Sequence, residues 1–467
     1  MVKMKILQFI LFIMCSTAVQ AQELVTYQIP KEMFYSAHND DFTVKVRVPG
    51  GEWKDLYEYK VEVDMDNRET ASMVFFDFSG KVEIQVRKNN GRVDDVQIRP
   101  LSYGIIPEVD GSIVTFTLDR PRKLSLEVNG DKLRNLHIFA NAIETEKPAS
   151  DDPDVIYFGP GLHQPQEKNG AVFRIPSGKT VYIDGSAVLK GKLLVENAQD
   201  VKIMGHGIVF QPERGVEIRH SQNIVVDGPV FINPTHYTIY GGEVNGLTVR
   251  NIKSFSNRGW SDGIDLMSCS DVLLENVFMR NSDDCIAIYG HRWESYGNVR
   301  NIHVKNSTLW ADIAHPINIG LHGNAEAGGD TIENVTFSDI DILEHDEDDR
   351  NCQGCMAICP SDNNLVRNLT FENIRVEDFQ EGQLFNIRVL NDKKYSKAPG
   401  RGIENVLFKN IRYNGKGANP SMIYGYDKER GVRDITFENV WINGELIENA
   451  LQGNIIVGDY VSGIQFK

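Results

Sequence analysis

The chain has 467 residues, of which 41% are hydrophobic and 24% are charged, so it can bury a large core and is not expected to be disordered. Its formal net charge of −16 disfavours nucleic acids and anionic polymers as partners and favours a neutral partner. No segment after residue 21 is long and apolar enough to cross a bilayer as a helix, so we expect no membrane insertion of the mature chain.

The first predicted element is a secretion signal over residues 1–21. Lys3 and Lys5 supply the positive start, residues 6–15 form an apolar run too short to span a membrane, and residues 19–21 (Val-Gln-Ala) offer a small-residue cleavage site. We therefore predict a secreted or periplasmic protein whose signal peptide is removed.

The next segment, residues 22–145, is predicted to form an antiparallel β-sandwich. Its apolar and polar residues alternate in short runs such as FTVKVRV, KVEIQVRK and KLSLEV. Asn-Asn-Gly at residues 89–91 and Asn-Gly at residues 129–130 are hairpin signals. The polar segment 144–154 contains prolines and is predicted to link this domain to the remainder, residues 146–467.

A short pattern then recurs through the C-terminal part: Asn or Asp, apolar, any, apolar, any, and finally Asn, Asp or Gly. Its start points are Asp200, Asn223, Gly246 (with the first position relaxed), Asp271, Asn301, Asn334, Asn368, Asn405 and Asp434. A repeat of this length is typical of a solenoid. Strand-length apolar alternation without helical periodicity predicts a right-handed parallel β-helix rather than leucine-rich repeats. The asparagines at the bends are expected to bond backbone groups of neighbouring coils.

Three acids lie close together in this repeat: Asp262, Asp283 and Asp284. Asp262 and Asp283 are 21 residues apart, about one coil, which would put them on neighbouring rungs about 4.8 Å apart. Like charges at that spacing raise one another's pKa, and paired carboxylates are the usual machinery of glycoside hydrolysis. We predict that these three aspartates are catalytic and that no metal or organic cofactor is needed.

Strand parity adds a condition, because side chains alternate between the two faces of a strand. With Ile264 and Ile286 facing inward, Asp262 and Asp284 reach a cleft only if each sits on a bend just before its strand. Otherwise Asp265 and Asp283 form the outward pair, so Asp265 is a reserve candidate for contacting the substrate.

Three further residues are predicted to bind the substrate. His315 lies one coil beyond the acids and could orient a carboxylate or touch the sugar. Arg388, two repeats later, could reach across the cleft. Trp293 follows the acids on a predicted loop, where an indole could stack on a sugar face, although it could equally be a core residue.

Five cysteines lie beyond the predicted signal: Cys269, Cys285, Cys352, Cys355 and Cys359. An odd number cannot be fully paired in disulfides, so buried thiols or one local disulfide are expected. The Cys-x-x-Cys pair at residues 352–355 lacks the second pair that a structural zinc site requires, so no metal site is predicted.

At these residues the chain resembles the polygalacturonase group, glycoside hydrolase family 28, whose motifs read Asn-Thr-Asp, Asp-Asp, His-Gly and Arg-Ile-Lys along a right-handed β-helix. Residues 261–265 (Ser-Asp-Gly-Ile-Asp) match the first motif and residues 282–284 (Ser-Asp-Asp) match the second. The resemblance implies that Asp283 is the general acid. It also implies that Asp262 and Asp284 position and deprotonate the water, so that the anomeric configuration is inverted.

The third and fourth motifs depart from the family. Pro316 follows His315 where the family has Gly, and Arg388-Val389-Leu390 stands in place of Arg-Ile-Lys. The lysine that would pair with a uronate carboxylate is therefore missing, which disfavours galacturonan as the substrate and agrees with the net charge.

The chain is also similar, over most of its mature length, to the dextranase and isopullulanase group, glycoside hydrolase family 49. That family too has a β-sandwich before a β-helix with three aspartates, and residues 136–163 resemble its join. The two resemblances imply an exported, inverting hydrolase of an α-linked, neutral polysaccharide such as an α-glucan. A polygalacturonase-type pectin hydrolase, a β-helix polysaccharide lyase or epimerase, and a non-catalytic glycan-binding solenoid remain the alternatives, and the oligomeric state stays open.

Overall fold

The computed structural model describes residues 22–165 and 171–467. The predicted secretion signal at residues 1–21 lies outside the described residues, so export stays a prediction. Within the two described ranges, no helix has the length and apolar character needed to span a membrane.

Two sheets form the N-terminal part of the chain. The six-stranded sheet contains Glu23–Thr26, Tyr59–Val63, Glu69–Ser79, Val96–Arg99, Arg122–Val128 and Leu136–Ala142. The five-stranded sheet contains Phe42–Arg47, Lys54–Asp55, Val82–Lys88, Glu108–Asp110 and Ile113–Leu118. Two short 3-10 helices, Lys31–Met33 and Leu101–Tyr103, lie in the connections. All strand pairs are antiparallel except one parallel pair, Glu69–Ser79 with Leu136–Ala142.

The burial patterns of the two sheets differ because one sheet is covered on both faces. The three longer strands of the five-stranded sheet alternate buried and more exposed residues, as in Phe42–Arg47. In the six-stranded sheet, Glu69–Ser79 is buried almost throughout. Its inner face packs on the five-stranded sheet, and its outer face packs on the C-terminal part of the chain. This explains why the sequence reads FTVKVRV in one sheet and ASMVFFDF in the other.

One of the two hairpin signals is misleading. Asn129 and Gly130 both have positive φ and lie between the antiparallel neighbours Arg122–Val128 and Leu136–Ala142. After residues 89–91, however, the chain leaves the five-stranded sheet and enters the six-stranded sheet at Val96–Arg99. A turn signal specifies a reversal of the chain but does not specify the sheet that receives the next strand.

The C-terminal part is a parallel β-helix, so the predicted fold class is confirmed. A typical coil contributes two strands to a 23-stranded sheet and one strand to a 12-stranded sheet. The long sheet contains Val155–Phe158, Gly161–His163, Thr180–Ile183, Ala187–Leu189, Gln199–Met204, Ile208–Phe210, Gln222–Asp227, Val230–Ile232, Asn245–Arg250, Lys253–Phe255, Ser270–Glu275, Phe278–Ser282, Val299–Lys305, Thr308–Ile313, Thr331–Glu344, Leu365–Val376, Gly402–Lys409, Arg412–Tyr413, Val432–Glu438, Trp441–Ile442, Glu445–Leu446, Val461–Ser462 and Gln465–Phe466. The 12-stranded sheet contains Val172–Arg174, Lys192–Glu196, Val216–Arg219, Ile239–Gly242, Ile264–Met267, Ile286–Tyr289, Ile317–Ile319, Gly354–Ile358, Gly382–Arg388, Ala418–Asn419, Ser421–Tyr424 and Ile455–Val457.

The recurring Asn and Asp residues form a ladder along the β-helix. Asn334 donates to Asn301 Oδ1 at 3.2 Å, Asn368 to Asn334 Oδ1 at 3.3 Å, and Asn405 to Asn368 Oδ1 at 2.9 Å. These residues have φ between 54° and 57°, a left-handed conformation that Asn and Asp tolerate better than other side chains. The bonds thus join side chain to side chain, whereas the sequence led us to expect bonds to neighbouring backbone groups.

The outer face of the six-stranded sheet closes over the second strand of several coils. Phe75 and Phe139 of the sheet pack with Phe255 and Phe278 of the β-helix. Beside this apolar patch lies Arg280, which is fully buried. Because Arg280 is on the strand that ends just before Asp283, the interface lies next to the predicted site.

Candidate active site

The predicted catalytic acids lie where the chain bends from the long sheet into the 12-stranded sheet. Ile264, Ile286 and Ile317 are aligned in register on successive coils. Asp262, Asp284 and His315 each stand two residues before one of these isoleucines, so the three side chains are stacked on three successive coils. Neither aspartate belongs to a strand. Both lie on bends just before their strands, as the alternation of side chains required for them to reach a cleft.

Asp283 is partly exposed to a cavity beside this stack. Its Oδ2 accepts a hydrogen bond from the Trp260 backbone N–H at 2.8 Å, and its Oδ1 accepts one from the Asp284 N–H at 3.0 Å. Burial, and then the charge of Asp284, raise the pKa of Asp283 to about 6 despite these bonds. Asp283 can therefore hold a proton in mildly acidic solution.

Asp284 has the opposite environment. Its carboxylate accepts hydrogen bonds from His315 Nδ1 at 2.8 Å, Asn318 Nδ2 at 2.8 Å and Tyr289 Oη at 3.0 Å. Burial alone would raise its pKa, but the charge of His315 and these three bonds outweigh burial and hold the pKa below its ordinary value. Between the two pKa values, Asp284 is therefore ionised while Asp283 is protonated.

His315 is the counter-charge of Asp284. Its Nδ1 faces Asp284, and its Nε2 faces the backbone oxygen of Cys352 at 2.9 Å. Because both ring nitrogens face acceptors, both carry hydrogen and the ring is an imidazolium. Burial opposes that charge, but Asp284 and then Glu347 outweigh it and raise the pKa of His315 to about 9. His315 thus lines the cavity, but its Nδ1 is already bonded to the Asp284 carboxylate.

Asp262 is 3% exposed and lines the same cavity. Its Oδ1 has no hydrogen-bond partner among the described residues. Burial, followed by the charges of Asp265, Asp283 and Asp284, raises its pKa well above the ordinary value. The three aspartates have one oxygen each within 4.8 Å of the others, a spacing that a cation could also span. Of the three aspartates, only Asp284 has a pKa below its ordinary value.

The cavity has a volume of about 270 Å³. Trp260 stands at its mouth with 56% of its surface exposed. Arg292 and His322 line one side, while Glu347 and Tyr395 come from loops of later coils. The sequence did not single out these cavity residues as binding residues. Their loops are inserted into long coils, where the repeat gives no register.

Two predicted substrate-binding residues do not line this cavity. Arg388 donates to the backbone oxygen of Asn351 at 2.9 Å, so it braces a loop instead of reaching across the cleft. Trp293 lines a neighbouring pocket that shares Arg292, His322 and Tyr395 with the catalytic cavity. Its ring lies parallel to that of Tyr240, with an interplanar angle of 8°, and 44% of its surface is exposed.

Asp265, the reserve candidate, is fully buried and does not line the cavity. Neither carboxylate oxygen has a hydrogen-bond partner among the described residues, and Arg292 Nη1 approaches only to 3.9 Å. That distance is too long for a hydrogen bond, so burial dominates and raises the pKa of Asp265 well above its ordinary value. In this conformation Asp265 has no exposed surface with which to contact a substrate.

Asp265→Asn is expected to stabilise the protein at neutral pH. Burial favours the protonated form of Asp265 in the folded state, whereas the unfolded state releases that proton above about pH 4, so this residue costs stability as pH rises. The amide cannot ionise, and we expect a gain of roughly 1 kcal/mol at pH 7, the ordinary size of a single-site effect. Thermal unfolding at pH 4 and pH 7 checks this, since the gain should vanish at pH 4; a loss of stability at pH 7 would contradict it.

The cysteines show both predicted states. Cys352 and Cys359 form a disulfide, and Cys269, Cys285 and Cys355 are buried free thiols. The disulfide closes the loop whose Cys352 oxygen accepts from His315. It therefore supports the His315–Asp284 pair, which the sequence could not indicate.

Comparison with known proteins agrees with this geometry. The family model for glycosyl hydrolases family 28 matches residues 165–454. The chain belongs to this family. The match includes all three aspartates and His315.

Two curated relatives of this family 28 protein are polygalacturonases by name. It is 23% identical over 301 residues to exopolygalacturonase B of Aspergillus niger, covering 60% of this chain and 65% of the relative. It is 24% identical over 237 residues to the probable endopolygalacturonase D of Neosartorya fischeri, covering 50% of this chain and 44% of the relative. The chain thus spans less than two thirds of either relative.

Among solved structures, the family 28 protein is similar to Dex49A from Penicillium minioluteum. The TM-score is 0.61, with 14% sequence identity, and the likeness covers 95% of this chain and 96% of that one. The shared fold includes the N-terminal sheets as well as the β-helix. This agrees with the whole-chain similarity to family 49 that the sequence suggested.

Proposed function

We propose that this protein is a glycoside hydrolase that cleaves an α-linked polysaccharide, with Asp283 as the general acid and Asp284 and Asp262 at the attacking water. One observation carries the proposal: two adjacent carboxyl groups share one cavity, but only Asp284 is bonded to the imidazolium of His315, so their pKa values are pushed in opposite directions. The pKa of Asp283 is raised to about 6, and the pKa of Asp284 is lowered. Such a pair of carboxyl groups supplies an acid and a base at the same pH.

The proposed reaction follows from those protonation states. Asp283 gives its proton to the glycosidic oxygen as the bond to the anomeric carbon breaks. Water attacks that carbon and gives a proton to Asp284, while Asp262 lies beside them and helps to hold the water. A sugar hemiacetal and a free hydroxyl are formed, and exchange with solvent restores both carboxyl groups.

We include inversion of the anomeric carbon in the proposal because of the family 28 resemblance. The distances between the carboxyl groups do not themselves support inversion. Inverting enzymes usually hold their two carboxyl groups roughly 6.5–9.5 Å apart, and retaining enzymes roughly 5–5.5 Å apart. The nearest carboxylate oxygens of the three aspartates lie within 4.8 Å of one another. The anomeric form of the product is therefore a necessary measurement.

A neutral, α-glucan-like substrate is the first candidate. Besides the three aspartates, the cavity is lined by Glu347, Asp349 and Asp392. Among the described residues, three cationic side chains face these six carboxyl groups: Arg292, Lys394 and the imidazolium of His315. An excess of carboxylates repels a uronate and leaves a neutral sugar unaffected.

A polygalacturonase-type pectin hydrolase is the second candidate. Two observations favour it: the curated relatives carry that name, and Arg292 and Lys394 line the same cavity. Either cation could pair with a uronate carboxylate in place of the lysine missing from the Arg-Ile-Lys motif.

The test is to incubate the purified protein with dextran, pullulan and polygalacturonate. We expect new reducing ends from a neutral glucan, with the first-formed anomer read by proton NMR. Products from polygalacturonate alone would favour the second candidate. An unsaturated product with ultraviolet absorbance, lost on chelation, would indicate a lyase, and oligosaccharide binding without any cleavage would indicate a glycan-binding solenoid.

A further inference from the structure

The N-terminal sandwich reaches the catalytic acids through one hairpin. Strands Tyr59–Val63 and Glu69–Ser79 are antiparallel neighbours joined by residues 64–68, called here the 64–68 loop. Asp64 fixes the shape of the loop, because its Oδ1 accepts from the N–H groups of Asp66 at 2.9 Å and Asn67 at 2.8 Å. This bonding holds the loop in one conformation and fixes the direction of its other backbone N–H groups.

Two of those N–H groups bind the catalytic coils. Met65 N–H donates to Ser282 Oγ at 3.1 Å, and Asp64 N–H donates to Asp312 Oδ2 at 3.2 Å. Ser282 is the residue immediately before Asp283, and Asp312 stands three residues before His315. The loop therefore contacts the strand ends that carry the general acid and the residue that holds the base.

The side chain of Met65 is near a second segment that holds the acid. A Cβ atom added to Gly259 would lie 3.9 Å from Met65 Sδ. The next residue, Trp260, has φ of +66°, which bulky residues rarely adopt, and donates its N–H to Asp283 Oδ2. Met65 is thus adjacent both to the residue before Asp283 and to the turn that binds the Asp283 carboxylate.

Arg280 also connects the same coils to the sandwich through hydrogen bonds. It is fully buried and donates to Asp312 Oδ2 at 2.9 Å, to Asn135 Oδ1 at 3.0 Å and to the Lys132 oxygen at 2.9 Å. Asp312 is therefore held by Arg280 and by the 64–68 loop together. Such a bonded, buried network resists sideways movement of the strand ends.

We propose that the sandwich is part of the catalytic apparatus, with Met65 as a positioning residue that fixes Asp283 against the Trp260 turn. The inference rests on the proposed function, because positioning matters only if Asp283 does chemistry. It assigns the N-terminal sheets a role in the reaction beyond packing. A mispositioning of about 1 Å can cost about a hundredfold in rate.

The same hairpin offers a matched control away from the acids. Glu62 N–H donates to Asn233 Oδ1 at 3.1 Å, which is also a bond from the sandwich to a β-helix side chain. Asn233 has φ of +53°, so Asn233→Gly removes the acceptor without backbone strain. Ser282→Ala removes the acceptor of Met65, and Met65→Ala and Met65→Leu test its side chain.

We expect Ser282→Ala and Met65→Ala to lower kcat by about tenfold to a hundredfold with little change in KM. Met65→Leu should restore most of the rate, and Asn233→Gly should keep the wild-type kcat. Loss of the Trp260 hydrogen bond should also raise the pKa of Asp283 and move the alkaline limb of kcat/KM to higher pH. Equal kcat values and equal pH limbs for Ser282→Ala and Asn233→Gly, below their melting temperatures, would overturn the proposal.

Hydrogen exchange of the Trp260 amide separates this inference from the proposed function. Faster exchange in Ser282→Ala and Met65→Ala than in Asn233→Gly supports the positioning contact even if the wild-type protein cleaves none of the polysaccharides. Equal exchange in all three variants overturns the contact whatever the activity.

Discussion

Asp283→Asn is expected to lower kcat on the polysaccharide by about a thousandfold, within the usual range for loss of a general acid. The amide keeps the shape of the side chain and can still accept from Trp260 N–H through its oxygen, but it has no proton to give. An activated substrate, whose leaving group needs no proton, should lose much less rate. That difference between substrates separates a missing acid from a distorted site.

The pH profile gives a second measurement of the same residue. Asp283 works when protonated and its pKa is about 6, so wild-type kcat/KM should fall as pH rises through about 6. Asp284 works when ionised and its pKa is depressed, so activity should persist below pH 4. Asp283→Asn should lack the alkaline limb, whereas Asp265→Asn should retain it. Wild-type rates in Asp283→Asn would contradict the assignment.

His315→Ala is expected to lower kcat by about a hundredfold and to destabilise the fold by about 3–5 kcal/mol, the usual cost of leaving a buried charge unpaired. Without the imidazolium, the pKa of Asp284 should rise, so the acidic limb of the profile should move to higher pH. His322→Ala is the matched control, because His322 also lines the cavity but packs edge-on against Tyr289. Its variant should leave the acidic limb in place.

The stability loss in His315→Ala should depend on pH with a defined sign. The folded pKa of His315, about 9, exceeds its ordinary value of 6.5. The stabilisation is therefore fully present below about pH 6.5 and disappears as pH rises through 9. Thermal unfolding of wild type and variant between pH 5 and pH 10 measures this, and a difference in Tm that does not shrink with pH would contradict the ion pair.

The sequence predicted the β-helix and its three aspartates because both depend on local periodicity. Each Asn or Asp that starts the repeat has a positive φ within a strand of the long sheet, and Asp262 lies one coil before Asp284. Strand parity also identified the condition that Asp262 and Asp284 must lie on bends. The register of Ile264 with Ile286 then places them on successive coils.

The remainder of the site depends on contacts that periodicity does not encode. Cys352 contributes a backbone oxygen to His315, and Met65 contributes a backbone N–H to Ser282. Backbone groups leave no signature in residue type. Arg388, which we expected to reach across the cleft, instead ends the strand Gly382–Arg388, where the loop oxygen of Asn351 is the available acceptor.

Both faces of the six-stranded sheet pack against other parts of the chain, and this has a consequence for the integrity of the whole polypeptide. Cutting the polypeptide in the 144–154 segment and separating the halves would expose Phe75 and Phe139 on one half and Phe255 and Phe278 on the other. Each fragment would then expose a large apolar surface and would be prone to aggregation. The sandwich and the β-helix should therefore unfold together as one cooperative unit on heating or proteolysis. A gene encoding the β-helix alone would be a poor starting point for expression.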